Sequence, residues 1–348
     1  MKFIINKREI GENCDPYIIA ELSANHNGDI EVAKASIISA KKHGADAVKL
    51  QSYTPDTMTI DCNGDDFLIK DGLWKGNNLY ALYQEAYTPY EWHEDLFNFA
   101  KDLDITCFST PFDESAVDLL ENMDVPAYKI ASFEVTDLTL LRRIAATKKP
   151  IIMSTGMANI EEIDEAVNTL YENGTSQLAI LHCVSGYPTS PEYANLKTIP
   201  DLKNRYKCVV GLSDHTLTHS TAITSIALGA SIIEKHFIID PSMGGPDSSF
   251  SIMPEQLREL KTLTSEASSA IGKVNYELKG EETNMIKFRR SLYAVKGIKQ
   301  GEVFTKDNMR RIRPGFGIEP KYYESIIGKT AKCDIEFGTA LKWDLIDE

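Results

Sequence analysis

The sequence predicts an α/β protein: a closed (β/α)8 barrel of the TIM class, followed by a small β-rich C-terminal domain. Three observations carry this. Eight short apolar, β-rich runs recur over about the first 270 residues, most are separated by helix-periodic amphipathic segments, and polar residues gather where each run ends. Eight alternating units in a domain of this length favour a closed barrel over an open doubly wound sheet.

The runs lie at 17–20, 47–50, 105–108, 127–130, 150–153, 178–181, 208–211 and 231–234. Ile160-Glu-Glu-Ile-Asp-Glu-Ala-Val167 is a representative intervening helix. The longest interval, between the second and third runs, holds Trp74, Tyr80, Tyr83, Tyr87, Tyr90 and Trp92. Such an insertion fits either a cover over a barrel mouth or aromatic helices that simply pack.

The last two runs are the most informative. Gly211-Leu-Ser-Asp-His-Thr216 and Glu234-Lys-His-Phe237 each follow a β-branched pair, so His215 and His236 fall where strands seven and eight end. The helix-like segment 221–229 between them has the length of one crossover. The two imidazoles therefore belong on neighbouring parallel strands at one rim. Beside acidic and amide groups they suit a divalent metal; two unrelated hydrogen-bonded histidines are the alternative.

Every other run also ends in polar groups. Glu21 and the Asn25-His26-Asn27 loop follow the first, Lys49 and Gln51 the second, Thr110 the third, and Lys129, Ser132 and Glu134 the fourth. Ser154-Thr-Gly156 closes the fifth, Ser185-Gly-Tyr187 the sixth, Ser213 the seventh, and Lys235 the eighth. Barrel enzymes keep their chemistry at that end. Lys49 and Lys129, pointing inward, are costly buried charges unless an anion or a carboxylate such as Glu134 or Glu234 neutralises them. Ser132, Ser154 and Ser213 with nearby backbone N–H groups complete a cradle for phosphate and carboxylate oxygens, although each serine alone suits a strand-end hydrogen bond. Together they favour a small, doubly anionic substrate.

A chain of 348 residues has room for a large core, and 43% hydrophobic with 25% charged residues is ordinary for a globular protein. Its net charge of −14, with no continuous basic face, argues against nucleic acid. The six cysteines show no paired short spacing, which excludes zinc-ribbon and redox-pair readings and suits reduced thiols in a cytoplasm. No apolar run is long enough for a signal peptide core or a membrane span.

Several long motifs, in order, resemble the sialic acid synthase family: Tyr17-Ile-Ile-Ala-Glu-Leu-Ser-Ala-Asn-His-Asn-Gly28, Ala47-Val-Lys-Leu-Gln51, Phe108-Ser-Thr-Pro-Phe112, Tyr128-Lys-Ile-Ala-Ser132, Gly211-Leu-Ser-Asp-His215 and Ile233-Glu-Lys-His-Phe237. Those enzymes condense phosphoenolpyruvate with an amino-sugar aldehyde to give a nine-carbon 2-keto sugar acid. Within the family the wording is most similar to the pseudaminic acid synthase branch, on Gln51-Ser-Tyr-Thr-Pro-Asp-Thr-Met-Thr59, Gly72-Leu-Trp74, the stretch 79–93 and Gly244-Gly-Pro-Asp-Ser248. Legionaminic and N-acetylneuraminic acid synthases share the frame.

The resemblance implies a transferase using 2,4-diacetamido-2,4,6-trideoxy-altrose, with carbon–oxygen cleavage of phosphoenolpyruvate, in bacterial surface glycan and flagellin glycosylation. It implies that His215 and His236 hold a divalent metal, manganese before magnesium or cobalt, and that Glu21 is the general acid/base. Lys49, Thr110, Lys129, Ser132, Ser154, Ser185 and Ser213 would bind phosphoenolpyruvate, and Gln51, Glu134, Tyr187 and Asp247 the sugar. At Ser185 the N-acetylneuraminate branch can carry Asn. A metal-dependent aldolase using free pyruvate and a non-enzymatic sugar-binding protein remain as alternatives; the first leaves the paired lysine and serine sites without a phosphate to bind.

The texture changes after Gly272. We expect a barrel over 1–272, a polar linker over 273–288 and a small domain over 289–348. The last contains an echo: Ile298, Gly301, Phe304, Asp307 and Met309 recur at the same spacing as Ile335, Gly338, Leu341, Asp344 and Ile346. Two related halves packed together, with the glycines at positive φ, account for it. The domain resembles the antifreeze-like (SAF, β-clip) domain that ends this family. By that resemblance Arg313 reaches a partner's barrel to meet the sugar's N-acyl group, which implies a homodimer with swapped C-terminal domains.

Overall fold

The structure, a computed structural model, describes residues 3–347, so the outermost expected bounds, 1 and 348, lie outside the described residues. Two compact units divide the chain, Met1–Gly272 and Lys273–Glu348, and the polar stretch 273–288 groups with the second.

The first unit opens on a hairpin to which the sequence analysis assigned no element. Strands β1 (Phe3–Ile5) and β2 (Arg8–Ile10) pair antiparallel across Asn6 and Lys7, both at positive φ (46° and 67°). Positive φ at both turn residues matches the right-handed twist of a tight hairpin.

Eight parallel strands then close a barrel: β3 (Tyr17–Glu21), β4 (Ala47–Ser52), β5 (Thr106–Pro111), β6 (Tyr128–Ile130), β7 (Ile151–Ser154), β8 (Leu178–Cys183), β9 (Val209–Ser213) and β10 (Ile232–His236), with β10 returning to β3. Each expected run contributes one strand. The runs lack simple polar alternation because both faces are covered. Tyr17, Ile19, Phe108, Ile152, Leu181 and Ile232 point inward into one buried cluster, while Ile18, Val48, Leu50, Ile130, Met153 and Ile233 point outward to the helical layer. Helix Ile160–Glu172 shows how that layer docks: Ile163, Ala166, Val167 and Leu170 form one buried stripe, and a reciprocal Asn159–Glu162 capping box starts it.

Phe3, Ile5 and Ile10 join the inward cluster. The hairpin is held there by Ile4 N–H donating to Gln177 Oε1 (2.8 Å) and Asn6 Nδ2 donating to Thr106 Oγ1 (3.2 Å). Gln177 precedes β8 and Thr106 opens β5, so the hairpin plugs the N-terminal end of the barrel. Each buried Ile, Leu or Phe there contributes about 1.5–3 kcal/mol. The lower barrel is thus an apolar plug, and the polar residues of the same strands occupy the other end.

The second unit pairs β11 (Ser291–Ala294) with β12 (Met309–Ile312) antiparallel. Its echo is structural. Ile298 and Ile335 exchange both backbone hydrogen bonds (2.8 Å each); Gly301 N–H donates to Ala331 O as Gly338 N–H donates to Ala294 O, and both glycines have positive φ. Phe304, Met309, Leu341 and Ile346, equivalent in pairs, share one core. Arg313 lies just beyond β12 and is exposed.

Candidate active site

Because side chains alternate along a strand, the inward set continues past the apolar plug into a polar layer at the C-terminal end. Glu21 ends β3, Lys49 and Gln51 are on β4, Thr110 on β5, Lys129 on β6, Ser154 on β7, Cys183 on β8, Ser213 on β9, and Glu234 and His236 on β10. Neighbouring register places Glu21 beside both Lys49 and His236.

The two inward lysines are almost fully buried. Lys49 Nζ lies 2.6 Å from Glu21 Oε2, 3.8 Å from Glu234 Oε1 and donates to Thr110 Oγ1 at 3.1 Å. Lys129 Nζ lies 3.4 Å from Glu234 Oε1 and donates weakly to Ile130 O at 3.3 Å. Glu234 is the carboxylate they share, while among the described residues neither pairs with Glu134. Burial works against charge at Lys49, yet Glu21 and Glu234 outweigh it and raise its pKa. At Lys129 burial prevails over the attraction of Glu234, and the pKa falls below the usual range. Among the described residues the one carboxylate within 4 Å of Lys129, Glu234, is shared with Lys49.

Beside that ammonium lies a cradle with no room for another side chain. Gly156 N–H donates to Ser132 Oγ at 3.0 Å, and a Cβ on Gly156 would collide with Ser185 Oγ and Ser132 Oγ. Ser154 Oγ is buried without a partner. Ser213 Oγ donates to Glu234 Oε1 at 3.3 Å. Cys183, unassigned by the sequence analysis, lies 4.0 Å from both Ser185 Oγ and His215 Nδ1. Burial opposes its thiolate, but His215, Ser132 and Lys129 outweigh this and bring the pKa down to about 7.

Across the mouth, the His215 and His236 rings are 5.5 Å apart between centroids. His215 Nδ1 is 2.9 Å from Val184 O, which fixes the tautomer that leaves Nε2 with its lone pair. His236 Nδ1 stands 3.3 Å from Asp247 Oδ2. Burial opposes charge on Asp247, but His236, Ser23 and the Ala24 backbone hold its carboxyl below the usual range. Among the described residues no group of three or more His, Cys, Asp or Glu is spaced to hold a metal. The donor set instead suits a metal held by two imidazoles, with its other positions left to water and substrate.

Tyr187 covers the imidazoles, its ring 4.2 Å from that of His215 and 6.1 Å from that of His236, with Phe250 at 5.1 Å. The long insertion both packs and covers. Its helix Tyr90–Asp102 buries His93, whose Nε2 meets Ser52 Oγ at 2.7 Å. Trp74, which the sequence analysis left as either packing or cover, brings its ring to 5.9 Å from Tyr187 and donates Nε1–H to Pro246 O at 3.0 Å.

Glu21 is gripped by Lys49 and by Gln51, whose Nε2 donates to Oε1 at 2.9 Å. Its carboxylate does not serve the Asn25-His26-Asn27 loop: Asn25 bonds Phe237 O and Ser251, and Asn27 bonds Met243 O. Glu134 closes a short turn after β6, with Oε2 buried and unpartnered; burial raises its pKa to about 7 against the pull of Lys129. One polar rim residue faces away from the mouth: Lys235, between the inward Glu234 and His236, pairs with Asp214 behind the sheet. The alternation of side chains in a strand was the signal for that. Arg313, in the second unit, is not among the residues that the barrel itself assembles.

Comparison with known proteins agrees with this geometry. The NeuB family model matches residues 36–276 and the SAF domain model residues 289–347. The chain is 46% identical over 326 residues to a pseudaminic acid synthase of Campylobacter jejuni, covering 94% of this chain and 95% of that one. It is 41% identical over 333 residues to a pseudaminic acid synthase of Helicobacter pylori, covering 95% and 98%. A solved N-acetylneuraminic acid synthetase from Leptospira borgpetersenii superposes with a TM-score of 0.74 at 30% identity, covering 83% of this chain and 96% of that one. The chain belongs to the NeuB family, the sialic acid synthase family that its motifs resemble.

Proposed function

We propose that this chain is a pseudaminic acid synthase, a transferase that condenses phosphoenolpyruvate with the open-chain aldehyde of 2,4-diacetamido-2,4,6-trideoxy-altrose and releases phosphate. The identities to the two pseudaminic acid synthases support the branch. The observation that carries the chemistry is the buried Lys49–Lys129 pair opening onto the Ser132–Gly156–Ser185 cradle, next to two imidazoles. A cation-rich cradle of this kind suits phosphate with carboxylate, whereas free pyruvate would leave half of it unused.

The residue roles follow from charge. Lys49 and Lys129, with Thr110, Ser132, Ser154, Ser185, Ser213 and the Gly156 N–H, bind the anionic groups of phosphoenolpyruvate. Gln51, Glu134, Tyr187 and Asp247 face the sugar. Members of the family are metal-dependent in general; His215 and His236 would hold the divalent metal, manganese in this reading, which would supply Lewis-acid polarisation of the aldehyde. The methylene carbon of phosphoenolpyruvate forms the new carbon–carbon bond to the aldehyde carbon, whose C=O π bond opens to an alkoxide that then takes up a proton, and the second carbon of phosphoenolpyruvate becomes cationic. Glu21 takes a proton from the water that adds there. The carbon–oxygen bond to phosphate then breaks, so phosphate leaves with the bridging oxygen.

The reading extends to a homodimer in the cytoplasm, with Arg313 completing a partner's sugar site. Six free thiols suit a reducing compartment. Phe133, Met157, Tyr193 and Leu217, on four successive loops of the mouth, are exposed, as is Phe316 beside Arg313. Such apolar residues at a barrel mouth suit a partner surface.

Phosphoenolpyruvate labelled with 18O at the bridging position tests the chemistry. All of the label should appear in phosphate; label retained in the sugar acid would contradict the reading.

A further inference from the structure

The two metal-holding imidazoles are carried differently. His236 is the last residue of β10, inside the sheet, whereas β9 ends at Ser213, so His215 stands in the loop beyond it. The β9–β10 ladder stops at the Ser213–Glu234 pair and one further bond, Asp214 N–H to Glu234 O at 2.9 Å. Among the described residues no sheet bond fixes the loop beyond that point to β10.

A side-chain network behind the sheet takes over there. Lys235, immediately before His236, points outward and is 2% exposed. Its ammonium donates to Asp214 Oδ2 (2.8 Å), Thr216 O (2.6 Å) and Thr218 O (3.4 Å). Asp214, immediately before His215, also accepts from Thr216 N–H (3.0 Å, Oδ1) and from Thr221 Oγ1 (2.9 Å, Oδ2). One ammonium thus grips the residue before His215 and two carbonyls after it, from the residue next to His236.

We propose that the Asp214–Lys235 pair is a positioning device that fixes the His215 and His236 imidazoles relative to one another for metal binding. The proposal rests on the reading of those histidines as metal ligands. Neither Asp214 nor Lys235 faces the substrates, so both act through the backbone of their neighbours. Outer residues that orient ligands commonly change metal affinity by roughly 10–100-fold when removed.

The test uses the full-length chain and manganese alone. Affinity is read from the EPR signal of free Mn2+, and the melting temperature is taken after chelator treatment. The double variant Asp214→Asn/Lys235→Met removes the pair without stranding a buried charge, which proteins often tolerate. Its manganese affinity should fall about 10–100-fold while its metal-free melting temperature stays near that of the wild type. Thr221→Val, which deletes one bond to Asp214, should weaken binding about threefold to tenfold, and it decides alone if the double variant does not fold. A lowered metal-free melting temperature with unchanged manganese affinity would reduce the pair to a structural role and overturn the proposal. Failure of the wild type to bind manganese overturns the metal reading and this proposal together.

Discussion

Two buried lysine clusters sit on opposite faces of the same barrel and differ in how completely they are satisfied. Behind the sheet, Lys235 has three oxygens within reach of its ammonium. Inside the mouth, Lys129 has one weak carbonyl contact and a shared carboxylate at 3.4 Å. Both are buried, so burial alone does not separate structure from function. The unmet demand for negative charge does: a cation satisfied within the protein acts on its neighbours, as Lys235 does on the segments around His215 and His236, and an under-satisfied one awaits a ligand.

That contrast can be broken by substitution. Lys235→Met strands Asp214 and should cost about 3–5 kcal/mol of stability, read by urea unfolding. Glu134 provides a second stability test, through pH. Its folded pKa, about 7, lies above the ordinary glutamate value of 4.5, so its stabilising contribution is full below the latter and is lost as pH rises through about 7. Glu134→Gln should therefore gain on the wild type by up to about 3 kcal/mol between pH 4.5 and pH 8. Equal pH dependence in the two proteins would contradict the buried carboxyl.

Lys129→Met should leave stability near that of the wild type, because Lys49 still faces Glu234. Its kcat/KM for phosphoenolpyruvate should instead fall about 10²-fold, the loss of one strong charged contact. A mainly unfolded Lys129→Met protein would erase the contrast with Lys235. The smallest effect is expected at the aromatic wall. Trp74→Ala should raise KM for the acceptor sugar roughly tenfold and leave KM for phosphoenolpyruvate unchanged.

The barrel was legible because eight β-rich runs, alternating with amphipathic segments in a domain of this length, each ended in polar groups. The terminal hairpin was not, since Asn6-Lys7 carries no Gly to announce a tight turn. Within the site, Lys49, Lys129 and His236 were marked by being polar inside apolar strands, and His215 by standing just past the end of one. Glu234 was visible only as a possible partner of the lysines, because its charge reads as core compensation until the distances give it to both. Cys183 has no motif of its own, and strand parity alone brings it into the cradle. Lys235 was read as a rim residue; counting two residues per repeat from His236 turns it outward. The echo in the second unit was readable because a repeated backbone path demands the same glycines and apolar residues twice.

The central claim is a phosphate-releasing condensation specific for one sugar. We would follow phosphate release from phosphoenolpyruvate with manganese, offering in parallel the trideoxy-altrose diacetamide, its gluco and manno relatives, and N-acetylmannosamine. Release confined to the altrose compound and abolished by chelator is the predicted result. Release with a different sugar would contradict the pseudaminic branch, and no release with any of them, from folded metal-loaded protein, would contradict the synthase.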